Sequence, residues 1–560
     1  MKNPTELMGI FLWVAFCTAW PVQVLAVTTP TTQVCAQAVE KAGVWTCAYP
    51  LKPEVARKRH SSYRFTQQDG RVLKVEVING AGALREDTIP VSVSPLQSGV
   101  VEYQWSADGK GFWATSRRFG GTIQERWKAG AGFRDKYHEL PASETDPEKA
   151  RVKGNGVCRE KWTVDARGFV QTVRFYNWKD QPRKDLYGAH GYRYERNAQG
   201  VIITEVPLNK LGKPAATELG QVKFTYKYDA SGNLLSAAAE NKEGKPSYLK
   251  NFHYSKITYD SVGNPLSEAF LDKEGKPAKN SMEIGMWKAT YDATGNLVRK
   301  LYFDTGGKPM LDKEKSAGAS FTYDANGRQT GSCTLGLDGK PSMDINGVIC
   351  RKWIHDVKGV VTEAQFLDAQ GKPLARKDGI ARIKYKETAG GQVSEEWYYD
   401  IAGKPALDQE RIHGTITTTD VGKHTLLMCN YGIDKKKKKG KDGVACTRMT
   451  FNEDDDVVEE WTTDEKDALV LNADGVAGCV TKFDEFAREV EHWYYGTQRE
   501  LVMHKELEHA GMVSKYDADG EIEDMIAYDA DREPIKPPDA LEDPDDLNPP
   551  DWDGVNEPEP

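Results

Sequence analysis

Hydrophobic and polar residues alternate along short stretches of this chain. Phe224, Tyr226 and Tyr228 are spaced two apart, as are Tyr192 and Tyr194, and Phe321 and Tyr323. A period of two marks a strand with one buried face. A second kind of stretch follows, such as Leu297–Phe303, dense in branched and aromatic residues that suit a pleated surface. Several of these end in aromatics: Phe175-Tyr176, Tyr302-Phe303, Trp397-Tyr398-Tyr399 and Trp493-Tyr494-Tyr495.

Two turn signatures separate the strands. One is Tyr-Asp-x-x-Gly, at Tyr228–Asn233, Tyr259–Asn264, Tyr291–Asn296 and Tyr323–Arg328. Its Asp can hold the backbone ahead, and its Gly can take a positive φ. The other is Gly-Lys-Pro, with the lysine at Lys213, Lys245, Lys276, Lys308, Lys340, Lys372 and Lys404, in steps of 31 or 32 residues. Pro lacks a donor and fixes φ, so it belongs in a turn and not in a central strand. Each unit therefore reads as two strands and two turns. A single hairpin cannot bury its apolar face, so neighbours must stack.

The pattern predicts an all-β chain. About twelve 32-residue β-hairpin repeats over 157–530, with unit starts from Val164 to Tyr516, join into a long twisted antiparallel sheet. Residues 27–156 lack this register but keep turn signals at Gln68-Asp69-Gly70 and Ala107-Asp108-Gly109, and read as an irregular N-terminal β region. From about Lys423 the units degenerate, and Lys435–Lys439 replaces Gly-Lys-Pro.

The recurring Tyr-Asp-x-x-Gly-[Asn/Arg] resembles the YD repeat of Rhs and teneurin-type proteins. The resemblance covers roughly residues 160–525 and rests on six residues per unit. It implies β-hairpins joined into a strip that coils into a spiral or shell, in secreted and surface proteins of toxin delivery and adhesion. The unit here is longer, carries the additional Gly-Lys-Pro turn, and no toxin-like C-terminal domain is evident.

The ends add a compartment. Met1–Glu6 is polar, Leu7–Trp20 is apolar, Pro21 breaks the run, and Val24-Leu25-Ala26 offers small residues before a cut. This is the plan of a signal peptide over residues 1–26. No other stretch approaches a membrane span, so the mature chain is expected to be periplasmic, secreted or on the cell surface, with no span after signal removal. Its eight remaining cysteines then meet an oxidising compartment. Cys333 and Cys350 are 17 apart, Cys429 and Cys446 likewise, and each pair straddles a second turn. Strands leaving such a turn bring the two sulfurs opposite one another, so both pairs are predicted disulfides. Cys35 and Cys47 are predicted to pair by proximity; Cys158 and Cys479 have no evident partner.

The formal charge is −9. Residues 531–560 hold eleven acids against two bases, together with eight prolines, and read as a disordered tail. The remaining body is neutral, which argues against a nucleic-acid partner. The 560 residues include 51 Gly and are 39% hydrophobic, a composition that excludes a multi-span membrane protein and collagen.

Chemistry is sparse. No Gly-x-Ser-x-Gly, P-loop or His-Glu-x-x-His occurs. His504 and His509 are five apart, which is not zinc-ligand spacing on a helix. Asp229, Asp260, Asp292, Asp324 and Asp356 recur at one turn position, a structural pattern. Asp517-Ala-Asp519-Gly520 lacks the remaining ligands of a calcium loop. No catalytic residue, cofactor or metal is therefore expected. The expected role is a non-enzymatic binding or scaffolding module at the cell envelope, with an envelope protein or polysaccharide as partner. Trp397, Tyr398, Tyr399, Trp493, Tyr494 and Tyr495 are the candidate binding residues if one face exposes them in rows. The alternative is a hydrolase or toxin-associated component with its activity in the N-terminal region.

Overall fold

In a computed structural model of the chain, residues 29–41, 43–85, 99–107, 111–117, 123–130, 132–137, 157, 159–177, 179–185, 187–247, 254–280, 282–388, 392–452, 456–484, 488–517 and 522–535 are described. The predicted signal peptide, most of the acidic tail, Cys158 and the turn at Asp108 lie outside them.

The chain is nearly all β, as the alternation predicts. Among the described residues, 33 strands form one sheet. Strand Thr31–Lys41 lies between Val44–Pro50 and Ser62–Gln68. From Ser62–Gln68 onward each main strand pairs antiparallel with the next along the chain, ending at Ile522–Tyr528. Strand Phe133–Tyr137 pairs with Arg159–Val164, so the N-terminal region and the repeat array share the sheet without a break. Each end strand has a neighbour on one side only among the described residues, and the sheet is not closed.

The unit differs from the expected one in having three turns. In the unit at Tyr291, they begin at Asp292, Asp304 and Asp312 and share one construction. Asp292 Oδ1 accepts from the N–H of Thr294 and of Asn296, both at 2.9 Å. Asp304 does the same for Gly306 and Lys308, at 2.9 and 2.8 Å. Asp312 does so for Glu314 and Ser316, at 3.0 and 2.8 Å. The residue three beyond each Asp has positive φ: Gly295 at 81°, Gly307 at 80° and Lys315 at 63°. The first turn is a hairpin with a register shift at the Tyr, the bulge that such a turn imposes. Pro309 of Gly-Lys-Pro bridges back to Phe303, and the third turn then leads into the next strand.

The repeated Tyr ties units together. Its hydroxyl donates to a carbonyl of the preceding unit: Tyr259 to Leu234 at 2.7 Å, Tyr291 to Pro265 at 2.9 Å and Tyr323 to Leu297 at 2.9 Å. A second tie sits at the pair that joins one unit to the next. There Cys333 faces Cys350, Trp397 faces Gly414, Cys429 faces Cys446, Trp461 faces Gly478 and Trp493 faces Gly511. Both predicted array disulfides form, as does Cys35–Cys47. At these three Trp–Gly pairs the indole takes the place of a disulfide and lies on the glycine; an added Cβ at Gly414 would stand 2.7 Å from the Trp397 ring.

The sheet curls until its N-terminal segment crosses the row of first turns. Asn197 Nδ2 donates to Tyr49 Oη at 2.9 Å, and Gln37 Nε2 to the Gly232 carbonyl at 3.1 Å. Arg59 Nη1 donates to the Val262 carbonyl at 2.6 Å. The His60 N–H donates to Asn264 Oδ1 at 2.6 Å, while Asn264 Nδ2 donates to the Lys58 carbonyl at 2.8 Å. His60 Nδ1 is 3.1 Å from the Gly295 carbonyl, and Asn79 Nδ2 donates to Asn326 at 3.1 Å. Five successive turns are thus held by residues 37–79. Close approach needs glycine: a Cβ on Gly295 would stand 2.5 Å from the Arg59 carbonyl carbon and 2.6 Å from the Lys58 oxygen. The largest core lies beside this contact and includes Cys35, Tyr63, Phe65, Val75, Val77, Trp162 and Phe175.

Candidate binding face

Strand alternation divides the aromatic triplets. In strand Val393–Tyr399, Trp397 and Tyr399 share a face with Glu395, whereas Tyr398 shares the other with Glu396. The indole faces are occupied. Trp397 donates Nε1–H to Glu395 at 2.9 Å, and Lys435 stands 5.3 Å above its ring. Trp493 donates to Glu491 at 3.0 Å, Arg532 stands 4.4 Å above it, and its exposure is 5%. Trp461 repeats the arrangement with Glu459 and Arg499, a member of the series that its neighbours Thr462 and Thr463 conceal in the sequence. Tyr399 meets the His413 ring edge-on, and Tyr495 tilts against Trp461. Tyr494 stands among His492, His504 and His509, with ring centroids 4.7, 4.8 and 5.7 Å away. The six aromatics proposed from the sequence therefore form no single exposed row, because side chains of the neighbouring units cover the tryptophans.

The other sequence features have structural roles. The backbone N–H of Val360 holds the Asp356 carboxyl below its ordinary range, as a turn carboxylate requires. Lys437 pairs with Asp467 at 2.5 Å, which ties part of the lysine run to the next unit. Burial pushes the His492 and His509 imidazoles down. No group of three His, Cys, Asp or Glu residues among the described ones is placed to hold a metal ion. Burial pushes the free Cys479 thiol up to about 11. Parts of the N-terminal region, including 86–98 and 138–156, lie outside the described residues, as does Asp519-Gly520.

Tyr398's face carries features that the sequence did not reveal. At steps of 32 residues, one position of the second strand reads Glu268, Lys300, Ser332, Ala364, Glu396 and, after Met428, Glu460. Burial raises the Glu268, Glu396 and Glu460 carboxyls and lowers the Lys300 ammonium. Earlier in the array Glu205, which accepts from the Tyr226 hydroxyl at 3.2 Å, is pushed up to about 7 by burial. Where the column falls to the short side chain of Ala364, the face opens.

The resulting groove has a volume of about 840 Å³. Its floor is Ala364, Phe366 and Ile383, with Trp353 and Tyr385 packed against it. The register sets Trp353 beside Ala364, Ala364 beside Ile383, and Tyr385 beside Glu396. Glu396 faces Thr415, and Ser394 faces Thr417. The charges at the groove balance, four cations (Arg351, Lys358, Arg376 and Lys386) against four acids (Asp356, Glu387, Glu395 and Glu396). Arg376 pairs with Asp378 at 2.5 Å and lies 5.0 Å over Phe366, and Lys386 pairs with Glu395 at 2.7 Å. The site can thus offer aromatic surface and hydroxyls without an excess charge.

No family profile matches the chain, and no curated protein matches its sequence. Solved structures similar to it include the Photorhabdus luminescens Tc holotoxin pore, at 11% identity and a TM-score of 0.26, covering 87% of this chain and 21% of that one. The TcdB2-TccC3 crystal structure is similar at 12% identity and a TM-score of 0.25, covering 85% of this chain and 30% of that one. The chain therefore spans less than a third of the length of these chains.

Proposed function

We propose that this chain is an exported, non-enzymatic binding module that holds an extended envelope ligand against the Trp353–Tyr385 groove. The groove carries this reading, because it sets aromatic surface and polar groups together on a rigid, doubly paired part of the sheet. The three disulfides suit an oxidising compartment outside the cytoplasm. Among the described residues no helix is long and apolar enough to cross a membrane. The repeat scaffold supplies the stiffness: the groove spans strands Cys350–His355 to Gly414–Asp420, each paired on both sides.

The test is retention of the oxidised full chain by fractionated envelope from its host. Tyr385→Ala is expected to lower retention roughly tenfold, the effect of losing about 1.4 kcal/mol at a central aromatic contact. Leu337→Ala, at an exposed turn outside the groove, serves as the control and is expected to leave retention unchanged. Equal retention of wild type and Tyr385→Ala would overturn the reading.

A further inference from the structure

The groove's chemistry also selects among ligands, provided that the groove is the binding site proposed for the chain. An anionic polymer needs cations with unused bonding capacity. Here Arg376 is held by Asp378 at 2.5 Å, Lys386 by Glu395 at 2.7 Å, and Arg351 lies 3.9 Å from Asp344. Lys358, the remaining lining cation, is offset by Asp356 on the same lining. A polycation fares no better. Glu395 is taken by Lys386 and by the Trp397 indole, Asp356 accepts from the N–H of Lys358 and of Val360, and burial favours the neutral form of Glu396, which leaves Glu387 alone among the lining acids. An extended peptide gains most of its affinity by adding a strand to a free sheet edge. The groove is a sheet face whose five strands each have neighbours on both sides. The one opening in its ladders is short, since residues 363–365 pair with 382–384 while 361–362 and 385–387 do not pair across that junction.

The groove also holds a set of unused hydroxyls beside aromatic rings. Ser394, Thr415 and Thr417 have no side-chain hydrogen-bond partner among the described residues and line the groove together. Each offers one donor and two acceptor sites. Trp353 and Tyr385 are half-buried, with part of each side chain facing the groove. Five strands cross the groove, so at a strand spacing of about 4.8 Å it is roughly 19 Å wide, enough for several linked rings. Flat apolar ring faces flanked by uncharged donors and acceptors fit a sugar, whose rings present C–H groups on their faces and hydroxyls around their edges.

We propose that the ligand of the Trp353–Tyr385 groove is an uncharged polysaccharide, stacked on Trp353 and Tyr385 and hydrogen-bonded by Ser394, Thr415 and Thr417. Because no charge is matched on binding, its affinity is nearly independent of salt.

The experiment is calorimetric titration of the oxidised full chain with three probes: neutral hexasaccharides of β-linked glucose or N-acetylglucosamine, a hexameric oligogalacturonate, and an uncharged extended octapeptide. At least one neutral hexasaccharide is expected to bind, with less than a twofold change in Kd between 50 and 500 mM NaCl. Tyr385→Ala is expected to weaken it roughly tenfold, and Thr415→Val by about fivefold. Thr415→Val is nearly isosteric and half-buried, so it keeps the fold while removing the hydroxyl. Tighter binding of oligogalacturonate or of the peptide, or affinity that falls steeply with salt, would overturn the proposal. So would the absence of binding by any neutral probe. If envelope retention still depends on Tyr385 in that case, the groove remains a binding site and the sugar assignment alone fails; if retention is also independent of Tyr385, both fail.

Discussion

Gly295→Ala is expected to destabilise the chain by about 2–5 kcal/mol, and Gly307→Ala by only about 1–2 kcal/mol. The two glycines are matched probes. Each ends an Asp turn in the same unit, at φ of 81° and 80°. A left-handed conformation costs an alanine about 1–2 kcal/mol at either place. They differ in what the new methyl meets. At Gly307 nothing lies within 4 Å, whereas at Gly295 the Cβ falls 2.5 Å from the Arg59 carbonyl carbon and 2.6 Å from the Lys58 oxygen. Backbone cannot step aside as a flexible side chain does, so overpacking adds about 1–3 kcal/mol. Urea midpoints of the two variants give the comparison. Equal losses would mean that the N-terminal segment does not lie on the first-turn row.

The paired change Cys429→Ala with Cys446→Ala is expected to cost about 3 kcal/mol, the value for a closed loop of this length. The sulfurs are 17 residues apart in sequence and join adjacent strands at the seam between two units. The other seams suggest a second outcome. Cys429→Trp with Cys446→Gly copies the Trp461–Gly478 and Trp493–Gly511 pairs and is expected to recover about 1.5 kcal/mol through burial of the indole. Recovery stays partial for two reasons. Leu427 occupies the place of the Glu that accepts from each indole, and Asp467 occupies the place of the covering Arg499 or Arg532. Thermal unfolding of the three proteins under oxidising conditions measures both effects. A Trp–Gly variant less stable than the double alanine would show that the seams are not interchangeable.

Much of the fold was legible because its rules are local. Asp at the start of a turn and Gly at its positive-φ position are chemical necessities, so they recur wherever the hairpin does. The spacing of Cys333 from Cys350 matched a true strand pairing for the same reason. The third turn escaped because neither of its marker positions is constant: Glu283, Lys315 and Arg411 take positive φ where Gly347, Gly379 and Gly475 do in other units, and Thr217, Arg376 and Gly440 begin it in place of Asp or Asn. The Tyr-Asp-x-x-Gly units are densest from Tyr228 to Arg328, a stretch whose turns the N-terminal segment covers, and this long-range contact has no periodic signature. The groove was missed because it arises at a small residue. Ala364 reads as an unremarkable member of a strand, and only the column it shares with Glu268, Lys300 and Glu396 shows that a larger side chain is absent there. The aromatic triplets, conspicuous in sequence, proved to be seams because alternation and a facing glycine turn each indole inward.

Amide hydrogen exchange of the oxidised full chain, with and without a saturating envelope fraction that retains it, locates the ligand most directly. Slower exchange confined to 350–367, 382–388 and 393–420 is the predicted result, since a ligand lying on these strands suppresses their local opening. Protection confined to the first-turn row or to the strands after Cys446, with the groove strands unchanged, would contradict the account.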